Sequence, residues 1–497
     1  MTTQKADILH LLDNLSGTRI LIVGDVMLDR FVYGDVDRVS PEAPVPVLGI
    51  RREEAMLGGA GNVARNISAL GAKVHLIGLC GDDDAGRAVH DMLSGLPGVD
   101  PRLVVDAGRA SSVKTRFVAG NQQLLRTDID DHQPVSAQSL QAIITATSEG
   151  LTQADVLVLS DYAKGVLADD VLATIIAAAR KAGVSVIADP KGHDFGRYRG
   201  ASVLTPNRAE LQAAALLPVG NDAQAVMAAR QIQQDCGIDS VLATRGPQGM
   251  TLLSGSREPL HIATQAREVF DVSGAGDTVV AALAVGLAAG ADPGLAAAFA
   301  NQAAGVVVGK AGTAVAWPND IVSASHSADL HSVEGKISDA ARAKDIRASW
   351  LRSGERVVFT NGCFDLVHPG HVSLLSQARS AGDRLIVGLN SDQSVKRLKG
   401  ESRPVNPETA RATVLASLGA VDLVIIFDED TPLELIEALR PDVLVKGADY
   451  SEEEVVGGKE VKSWGGQVVL ANLVDGESTS NTISKLNTSN LNKENNA

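Results

Sequence analysis

The sequence has few cysteines and no long hydrophobic run. Its three cysteines, Cys80, Cys236 and Cys363, form no Cys-x-x-Cys pair, which excludes a paired-cysteine zinc site and is typical of a reducing compartment. The longest run of small apolar residues, 278–291, has 14 residues, whereas a helix needs about 20 to span a bilayer. The N-terminus also lacks the basic and apolar segments of a signal peptide. A cytoplasmic protein that does not enter a membrane is therefore expected.

Positive charge is also scarce. The chain has 45 lysines and arginines against 60 aspartates and glutamates, which gives a formal net charge of −15. Proteins that bind nucleic acids or anionic membranes need a basic surface to displace counterions. Neither partner is expected here. Small anionic substrates remain compatible with this composition if basic residues gather in local pockets.

The chain is too long for one hydrophobic core, because single cores stop growing at roughly 250–300 residues. Apolar, β-branched segments alternate with Ala-rich helical ones, which predicts α/β domains with parallel sheets covered on both faces. The alternation lapses over the polar segment 317–332 and resumes with a strand at Arg356. The expected division is a domain at 1–325, a linker at 326–348, a second domain at 349–488 and a disordered tail at 489–497.

The segment 271–278 has the most informative pattern, D-V-S-G-A-G-D-T. Gly274 and Gly276 let the backbone curl tightly, and the Ala-rich helix that follows adds the positive end of its dipole. Together they predict an anion-binding turn at a helix N-terminus. Asp277 is placed to accept a proton from a hydroxyl while this turn binds the phosphoryl group. In the alternative interpretation the turn is only structural and Asp277 is an N-cap.

Four other segments accompany this turn. They are G-D-x-x-x-D at 24–29, G-G-A-G-N at 58–62, N-R-A-E at 207–210 and T-R-G-P-Q-G at 244–249. Their order resembles the ribokinase-like (PfkB) carbohydrate kinases. The resemblance implies a parallel-core sheet flanked by helices, a small lid, and phosphoryl transfer from ATP–Mg²⁺ to a sugar hydroxyl.

The same resemblance assigns roles to individual residues. Asp277 is the expected catalytic base, and the expected anion hole is Gly274, Ala275 and Gly276. The expected nucleotide contacts are Asn207, Arg208, Ala209, Glu210, Thr244, Arg245, Gly246 and Gly249. The expected sugar contacts are Asp25, Asp29, Gly59, Asn62, Lys114, Arg116 and Lys191. Mg²⁺ is expected to bind with ATP near Glu210, without a dedicated cage of protein ligands.

Basic residues near the expected lid bear on the charge of the sugar. Lys114, Arg116 and Arg126 lie in the segment where lid strands are expected, and Lys191 follows a strand in D-P-K-G. A phosphorylated sugar would need such cations. Taken singly, each is equally compatible with an ordinary solvated surface charge.

A second motif, T-N-G-C-F-D-L-V-H-P-G-H, occupies residues 360–371. His368 and His371 could form a metal pair or could bind an anion. Pro369 is typical of a first helical turn, so both histidines are expected beside unpaired backbone N–H groups and the positive end of a helix dipole. A zinc site would need further ligands, and no histidine follows His371. The setting therefore favours phosphate binding over metal binding.

The pattern H-x-G-H after G-x-F-D resembles the cytidylyltransferase-like nucleotidyltransferases. The resemblance implies a Rossmann-like domain in which a substrate phosphate attacks the α-phosphorus of a nucleoside triphosphate. With His368 and His371 as catalytic residues, the expected nucleotide contacts are Asn361, Gly362, Phe364, Lys399, Arg403, Ser478 and Thr479. Cys363 is expected to be a packed thiol, because no covalent intermediate is needed. The last helix is less basic than is usual in this family, which leaves its pyrophosphate contacts open.

The two domains in this order are similar to a family of bifunctional heptose-phosphate enzymes. The similarity implies ATP and heptose phosphates as the small-molecule partners, and the expected assembly is a homodimer. Three alternatives stay open: a pair of enzymes that act on a different sugar, a sensor that binds nucleotide without turnover, and a nucleic-acid-binding module. The net charge of −15 disfavours the last of these.

Overall fold

The computed structural model describes residues 2–120, 122–131, 133–264, 271–310, 314–329, 333–352, 354–448 and 451–472. The chain forms two compact units, 1–322 and 323–497. Within the described residues no helix is both long and apolar enough to cross a bilayer. The predicted tail 489–497 and the predicted contacts Ser478 and Thr479 lie outside the described residues.

The first unit contains a large sheet and a small one. Its strands are β1 Arg19–Gly24, β2 Val26–Val39, β3 Pro46–Gly59, β4 Lys73–Cys80, β5 Val99–Val105, β6 Val113–Ala119, β7 Gln122–Ile129, β8 Val156–Ser160, β9 Ser185–Asp189, β10 Val203–Leu204, β11 Ser240–Thr244, β12 Met250–Ser254 and β13 Leu260–Ile262. Its helices are α1 Thr2–Asp13, α2 Ala60–Ala69, α3 Asp84–Ser94, α4 Ala137–Gly150, α5 Asp169–Ala182, α6 Arg208–Ala215, α7 Asp222–Cys236, α8 Ala275–Ala288, α9 Pro293–Val308 and α10 Pro318–Asp329.

The large sheet has the order β13-β12-β11-β10-β9-β8-β1-β4-β5 and is parallel except at β12 and β13. Its central strands are buried along their length, because helices cover both faces. The carboxyl ends of parallel strands meet at one edge of a sheet. That edge therefore collects Asp25 after β1, Tyr162 after β8, Asp189 at the end of β9, Thr205 after β10 and Thr244 at the end of β11.

The small sheet has the order β3-β2-β6-β7. The first residues of β2 are buried beside the large sheet, whereas its last five residues and all of β7 are exposed. We call this sheet the lid. It confirms the small lid that the motif order implied.

The second unit is built on a parallel sheet of order β14-β17-β16-β15-β18-β19. Its strands are β14 Ile337–Ser338, β15 Val357–Gly362, β16 Arg384–Asn390, β17 Leu423–Phe427, β18 Val443–Gly447 and β19 Gln467–Ala471. Its helices are α11 Val333–Lys336, α12 Ala340–Arg352, α13 Pro369–Ser380, α14 Asp392–Lys399, α15 Glu408–Ser417, α16 Leu433–Leu439 and α17 Gly458–Ser463. Phe359 and Val358 alternate between two cores, one on each face of the sheet.

The segment 326–348, expected from its polarity to be a linker, contains regular structure. It includes the end of α10, all of α11 and β14, and most of α12. β14 pairs with β17, and α12 buries Ala343, Ile346 and Trp350 in the core of the second unit. Hydrophobic residues at three- and four-residue spacing in α12 carry this packing.

Candidate functional site

Asp277 lies in the first turn of α8 with a side chain that is almost fully buried. Gly274 precedes the helix with φ of 76°, a conformation that favours glycine. Two donors hold the carboxylate: Asn62 Nδ2 lies 2.6 Å from Oδ2, and the Tyr162 hydroxyl lies 2.7 Å from Oδ1. Burial raises the pKa of Asp277 to about 6, and the two hydrogen bonds oppose that rise. The carboxylate is therefore mostly ionised at neutral pH.

The turn before α8 presents backbone N–H groups to the same region. The N–H of Ala275 donates to the carbonyl of Val272 at 3.2 Å, so it is already engaged. Within the described part of the chain, the N–H groups of Gly274, Gly276 and Asp277 have no hydrogen-bond partner. The hole of residues 274–276 stays a prediction: two of its three N–H groups, those of Gly274 and Gly276, are unpaired among the described residues, and the N–H of Asp277 is unpaired beside them.

A cleft of about 190 Å³ opens beside Asp277. Asp189, Lys191, Thr205 and Glu210 line it, together with Gly274 and Gly276. Burial and the charge of Asp277 raise the pKa of Asp189 to about 8, and the Thr205 hydroxyl donates to this carboxyl at 2.9 Å. Lys191 Nζ lies 3.6 Å from Glu210 Oε1. The cleft therefore joins the expected base to hard oxygen donors and one cation.

The N-R-A-E segment forms the N-terminus of α6. Asn207 and Glu210 make a reciprocal capping box, each side chain accepting from the other's backbone N–H at 3.0 Å. Asn207 also bridges to Thr244, so the two expected nucleotide segments lie side by side. Both Asn207 and Glu210 line the cleft, whereas Arg208 and Ala209 are exposed on the helix.

The T-R-G-P-Q-G segment divides into buried and exposed residues. Thr244 lines the cleft, but the Arg245 guanidinium is buried and bonds to Asp222 at 2.6 Å. Gly246 is exposed at φ of 59°. A side chain at Gly249 would overlap the carbonyl oxygen of Ile262, so this glycine is required by the close approach of the end of β13. Arg245 holds α7 in this arrangement.

Some of the expected sugar contacts lie near Asp277, namely Asn62, Asp29 and Lys191, and others are held by ion pairs or backbone contacts. Arg116 Nη1 lies 2.6 Å from Asp29 Oδ1, and Lys114 Nζ lies 3.7 Å from a carboxylate of β7, Asp128. Asp25 is buried and accepts from backbone N–H groups of residues 162–166. Gly59, at φ of 58°, lets the start of α2 approach the carbonyl of Asp25. Lys191, whose side chain is 50% exposed, is the most accessible of the three expected cations.

In the second unit, the H-P-G-H motif begins a helix as predicted. His368 is the N-cap of α13, and its ring centroid lies 4.0 Å from that of His371. The ring of Phe364 lies 5.0 Å from His371. Burial and the neighbouring His368 lower the pKa of His371 to about 4, so its imidazole is neutral at pH 7. A groove of about 640 Å³ runs from His368 along α13.

One buried ion pair and several hydrogen bonds to the backbone connect the segments around these histidines. Arg403 Nε bonds to the buried carboxylate of Asp365, which also accepts the N–H of Val405 at 2.7 Å. Lys446 Nζ donates to the carbonyl of Asn361 at 3.1 Å. Lys399 is exposed at the end of α14. Of the expected contacts, Asn361 and Gly362 thus end β15, and Phe364 and Arg403 lie in loops that the Arg403–Asp365 pair connects, with Gly362 packed against the Phe364 ring.

Burial raises the pKa of the Cys363 thiol. A nucleophilic cysteine needs a lowered pKa. The structure therefore agrees with a packed thiol. Within the described residues, no group of three or more His, Cys, Asp and Glu side chains is arranged to hold a metal ion.

Three residues of these sites escaped the sequence patterns. Tyr162 contacts Asp277, Asp189 lines the same cleft, and Arg411 of α15 makes four hydrogen-bonded contacts beneath the histidine loop. Their position along the chain could have indicated Tyr162 and Asp189. D-Y-A-K-G and D-P-K-G each come at the carboxyl end of a buried strand, at the sheet edge where the carboxyl ends of the parallel strands meet. No comparable pattern indicated Arg411, because an arginine within a helix is usually exposed to solvent.

Known proteins match both units. Residues 18–320 match the pfkB family carbohydrate kinases, and residues 359–480 match the cytidylyltransferase-like family. The chain is 54% identical over 485 residues to the bifunctional protein HldE of Paramagnetospirillum magneticum, covering 98% of this chain and 99% of that protein. It is also 54% identical to the bifunctional protein HldE of Rhodospirillum rubrum, covering 95% of each.

A solved structure supports the fold of the first unit. The tetrameric inhibited form of phosphofructokinase-2 from Escherichia coli aligns with a TM-score of 0.53 at 20% identity, covering 62% of this chain and 98% of that one. This likeness confirms the ribokinase-like fold. The cleft at Asp277, the paired histidines of α13 and the full-length matches agree: the chain belongs to the family of bifunctional HldE proteins, enzymes that join a carbohydrate kinase to a nucleotidyltransferase.

Proposed function

We propose that the first unit transfers the γ-phosphoryl group of ATP to O1 of D-glycero-β-D-manno-heptose 7-phosphate. The second unit then transfers AMP from ATP to heptose 1-phosphate, giving ADP-heptose and pyrophosphate for the lipopolysaccharide core. A separate phosphatase must remove the 7-phosphate between the two steps. The observation that carries the proposal is the Asp277 carboxylate, held by Asn62 and Tyr162 at the N-terminus of α8.

In the kinase step Asp277 accepts the proton of the sugar hydroxyl. The hydroxyl oxygen forms a bond to the γ-phosphorus while the bond from that phosphorus to ADP breaks. A base with a pKa of about 6 is ionised at neutral pH yet close enough to the working pH to receive a proton efficiently. The N–H groups of Gly274, Gly276 and Asp277 stabilise the transferred group.

Mg²⁺ with ATP is part of this proposal. Glu210 and Asp189 are carboxyl groups that line the cleft, and Mg²⁺ prefers one or two carboxylates together with substrate phosphates and water. The residues present therefore fit the ion, with Glu210 and Asp189 as the residues that would hold it; Asp189, whose pKa is raised to about 8, would release its proton on binding. When bound, Mg²⁺ supplies neutralisation of the phosphate charge.

A phosphorylated sugar suits the charge around the site. Lys191 opens onto the cleft, and Lys114 and Arg116 lie on β6 of the lid, where Lys114 faces Asp128 and Arg116 pairs with Asp29. The phosphate group of a sugar could bind these cations in place of their present carboxylate partners. This arrangement favours a phosphate-bearing sugar over a neutral one.

In the nucleotidyltransferase step the enzyme forms no covalent bond. The oxygen of the sugar 1-phosphate attacks the α-phosphorus of ATP, and pyrophosphate leaves. The two histidines at the N-terminus of α13 donate hydrogen bonds to the triphosphate, where the helix dipole adds positive potential. Lys399, Arg403, Ser478 and Thr479 are the proposed contacts to pyrophosphate.

A cytoplasmic homodimer is the proposed assembly. Large apolar side chains are exposed along the lid strands, among them Val39, Ile50, Leu125 and Ile129, and in the loop between β2 and β3, at Val45. Protein contacts bury apolar side chains of this kind. The phosphofructokinase-2 structure is that of a tetramer. Light scattering of the purified chain measures the assembly directly.

Product analysis with each substrate tests the proposal. The full chain is incubated with ATP–Mg²⁺ and either heptose 7-phosphate, fructose 6-phosphate or ribose, and separately with ATP and heptose 1-phosphate. Turnover of the heptose phosphates supports the proposal; preference for another sugar replaces it with a kinase and transferase pair for that sugar. Asp277→Asn should abolish only the first reaction, and His368→Ala only the second. A chain that binds ATP but turns over none of these substrates would instead be a sensor.

A further inference from the structure

Tyr162 lies between a buried strand and the expected catalytic base. It follows β8 by two positions, on a loop in which Ala163 has φ of 55°. Non-glycine residues rarely adopt this conformation, so the surrounding structure must hold the loop in place. Its hydroxyl donates to Oδ1 of Asp277 at 2.7 Å. A residue fixed in this way can control the orientation of the carboxylate.

Asp25 fixes the Tyr162 loop through hydrogen bonds to its backbone. Its carboxylate is buried and accepts the backbone N–H groups of Tyr162 at 2.8 Å, Lys164 at 3.0 Å and Val166 at 3.2 Å. Asp161 adds a further anchor, accepting the N–H of Ala163 at 2.8 Å. Burial raises the pKa of Asp25, and the hydrogen bonds from its three backbone N–H donors oppose that rise. Asp25, expected to contact sugar, is therefore committed to the Tyr162 loop in this structure.

The second oxygen of Asp277 is held from α2. Asn62 donates to Oδ2, and Asn66, one helical turn later, donates to the carbonyl oxygen of Asn62 at 2.9 Å. The Thr278 hydroxyl in turn donates to Asn66 Oδ1 at 2.9 Å. Each carboxylate oxygen thus receives one donor, and the carboxylate cannot rotate without breaking a bond. Each oxygen keeps a lone pair that is free for an incoming hydroxyl.

We propose that Tyr162 is a positioning residue for Asp277, and that Asp25 acts through the backbone of residues 162–166 to keep Tyr162 in place. The inference rests on the proposed kinase reaction. A donor to a carboxylate favours the charged form, so Tyr162 keeps the base ionised as well as oriented. Nothing in the sequence patterns or in the family matches assigns this role.

Other charges near Asp277 also affect its ionisation. Asp29, paired with Arg116, raises the pKa of Asp277, and Asp189 lies close enough for its own pKa to be raised by Asp277. Lys191 and Glu210 line the same cleft. Tyr162→Phe leaves all of these groups unchanged and removes only one hydroxyl.

The test compares Tyr162→Phe with wild type in the full chain, by measuring kcat/KM for the sugar phosphate from pH 5.5 to 9.5. We expect the acid limb of the profile to move up by about one pH unit, which lowers the rate at pH 6 roughly fivefold more than at pH 9. KM for ATP should stay unchanged. Tyr33→Phe on the lid is the matched control and should leave the profile in place.

Each other outcome has a defined meaning. An unchanged profile, or an equal loss at every pH, overturns the positioning role while wild-type turnover leaves the kinase assignment intact. If wild type turns over no sugar phosphate, the kinase assignment fails, and the ionisation of Asp277 is read instead from melting temperatures. The difference in melting temperature between wild type and Asp277→Asn across pH reports that ionisation, and the same difference is measured in the Tyr162→Phe background. The pH midpoint of this difference should be higher in the Tyr162→Phe background than in the wild-type background. If it is not higher, the inference is overturned.

The role of Asp25 is tested by coupling. Asp25→Asn keeps the side-chain shape but loses acceptor capacity, so it should shift the acid limb in the same direction. The double variant Asp25→Asn, Tyr162→Phe should shift the limb no further than Tyr162→Phe alone. Both changes act on the same interaction, the hydrogen bond from Tyr162 to Asp277. Additive shifts would show that Asp25 acts independently of Tyr162.

Discussion

Nη1 of Arg411 donates to the carbonyl oxygen of Cys363 at 2.7 Å, which fixes the loop that leads into the paired histidines. The same guanidinium reaches the carbonyls of Asn390 and Asn406 and the carboxylate of Asp392. Arg411 is the largest fully buried side chain of the described residues. One side chain therefore connects the ends of β15 and β16 with the loop before α15.

Arg411→Met should destabilise the second unit strongly. The substitution leaves three carbonyl groups and one carboxylate without their donor, and breaking a buried pair on one side costs about 3–5 kcal/mol. Urea unfolding should show this loss in the transition of the second unit only, together with loss of AMP transfer. Arg397→Met, at an exposed pair with Asp430, is the control and should cost less than about 1 kcal/mol. A loss as small as that of the control would contradict the role assigned to Arg411.

Asp277→Asn should stabilise the first unit at neutral pH although it removes the base. The folded-state pKa of about 6 lies above the unfolded value of 3.8, so the folded chain favours the protonated form. The contribution of Asp277 to the free energy of unfolding is fully present below about pH 4. It falls as pH rises to about 6, by up to roughly 3 kcal/mol. The amide avoids this cost.

Melting curves at pH 4 and pH 8 measure the difference. The rise in melting temperature of Asp277→Asn over wild type should be absent at pH 4 and largest above pH 6. Glu258→Gln, at an exposed position before β13, is the control and should show no pH-dependent gain. Equal stability of Asp277→Asn and wild type at pH 8 would show that the carboxylate is not held at a cost.

His371 should remain neutral well below pH 6. Its folded-state pKa of about 4 lies below the unfolded 6.5, so the stability that depends on it is complete above pH 6.5 and is lost as pH falls towards 4. NMR of the imidazole should show a neutral ring between pH 8 and pH 5. The signal is assigned by its absence in His371→Asn. Titration of this ring near pH 6.5 would contradict the burial described.

Gly58→Ala should damage sugar binding. A Cβ at this position would lie 2.4 Å from Oδ2 of Asp29, so the carboxylate would have to leave Arg116. We expect KM for the sugar phosphate to rise about tenfold, equivalent to roughly 1.4 kcal/mol, with KM for ATP unchanged. Gly17→Ala, where a Cβ meets no atom within 4 Å, is the control. An equal rise in both KM values would indicate general disruption instead.

Local patterns predicted the helix-terminal sites but not their supports. G-A-G-D placed Asp277 in the first turn of α8, and H-P-G-H placed His368 at an N-cap, because glycine and proline restrict the backbone over a few residues. The partners of these groups come from distant parts of the chain: Tyr162 is 115 residues from Asp277, and Arg411 is 48 from Cys363. Such contacts depend on strand order, which no short motif encodes.

The same limit applies to Asp25 and to the segment 326–348. The sugar contact expected of Asp25 stays a prediction, whereas the backbone N–H groups that donate to its carboxylate lie 137 to 141 residues further along, beyond the reach of a short motif. The polar composition of 326–348 suggested a linker, whereas α12 uses only a few apolar residues to reach the core. Composition averages over the face that packs and the face that does not.

The edge position of β14 sets an order for folding during synthesis. β14 is made at residues 337–338, but its only strand neighbour in the described sheet, β17, spans Leu423–Phe427. β15 can pair early with β16, but its other neighbour, β18, is made later still. The first unit has by then left the ribosome and can fold, since domains generally fold as units in the order of synthesis. A truncated chain that ends before β17 should therefore carry a folded kinase attached to an unpaired edge strand, a state that invites aggregation.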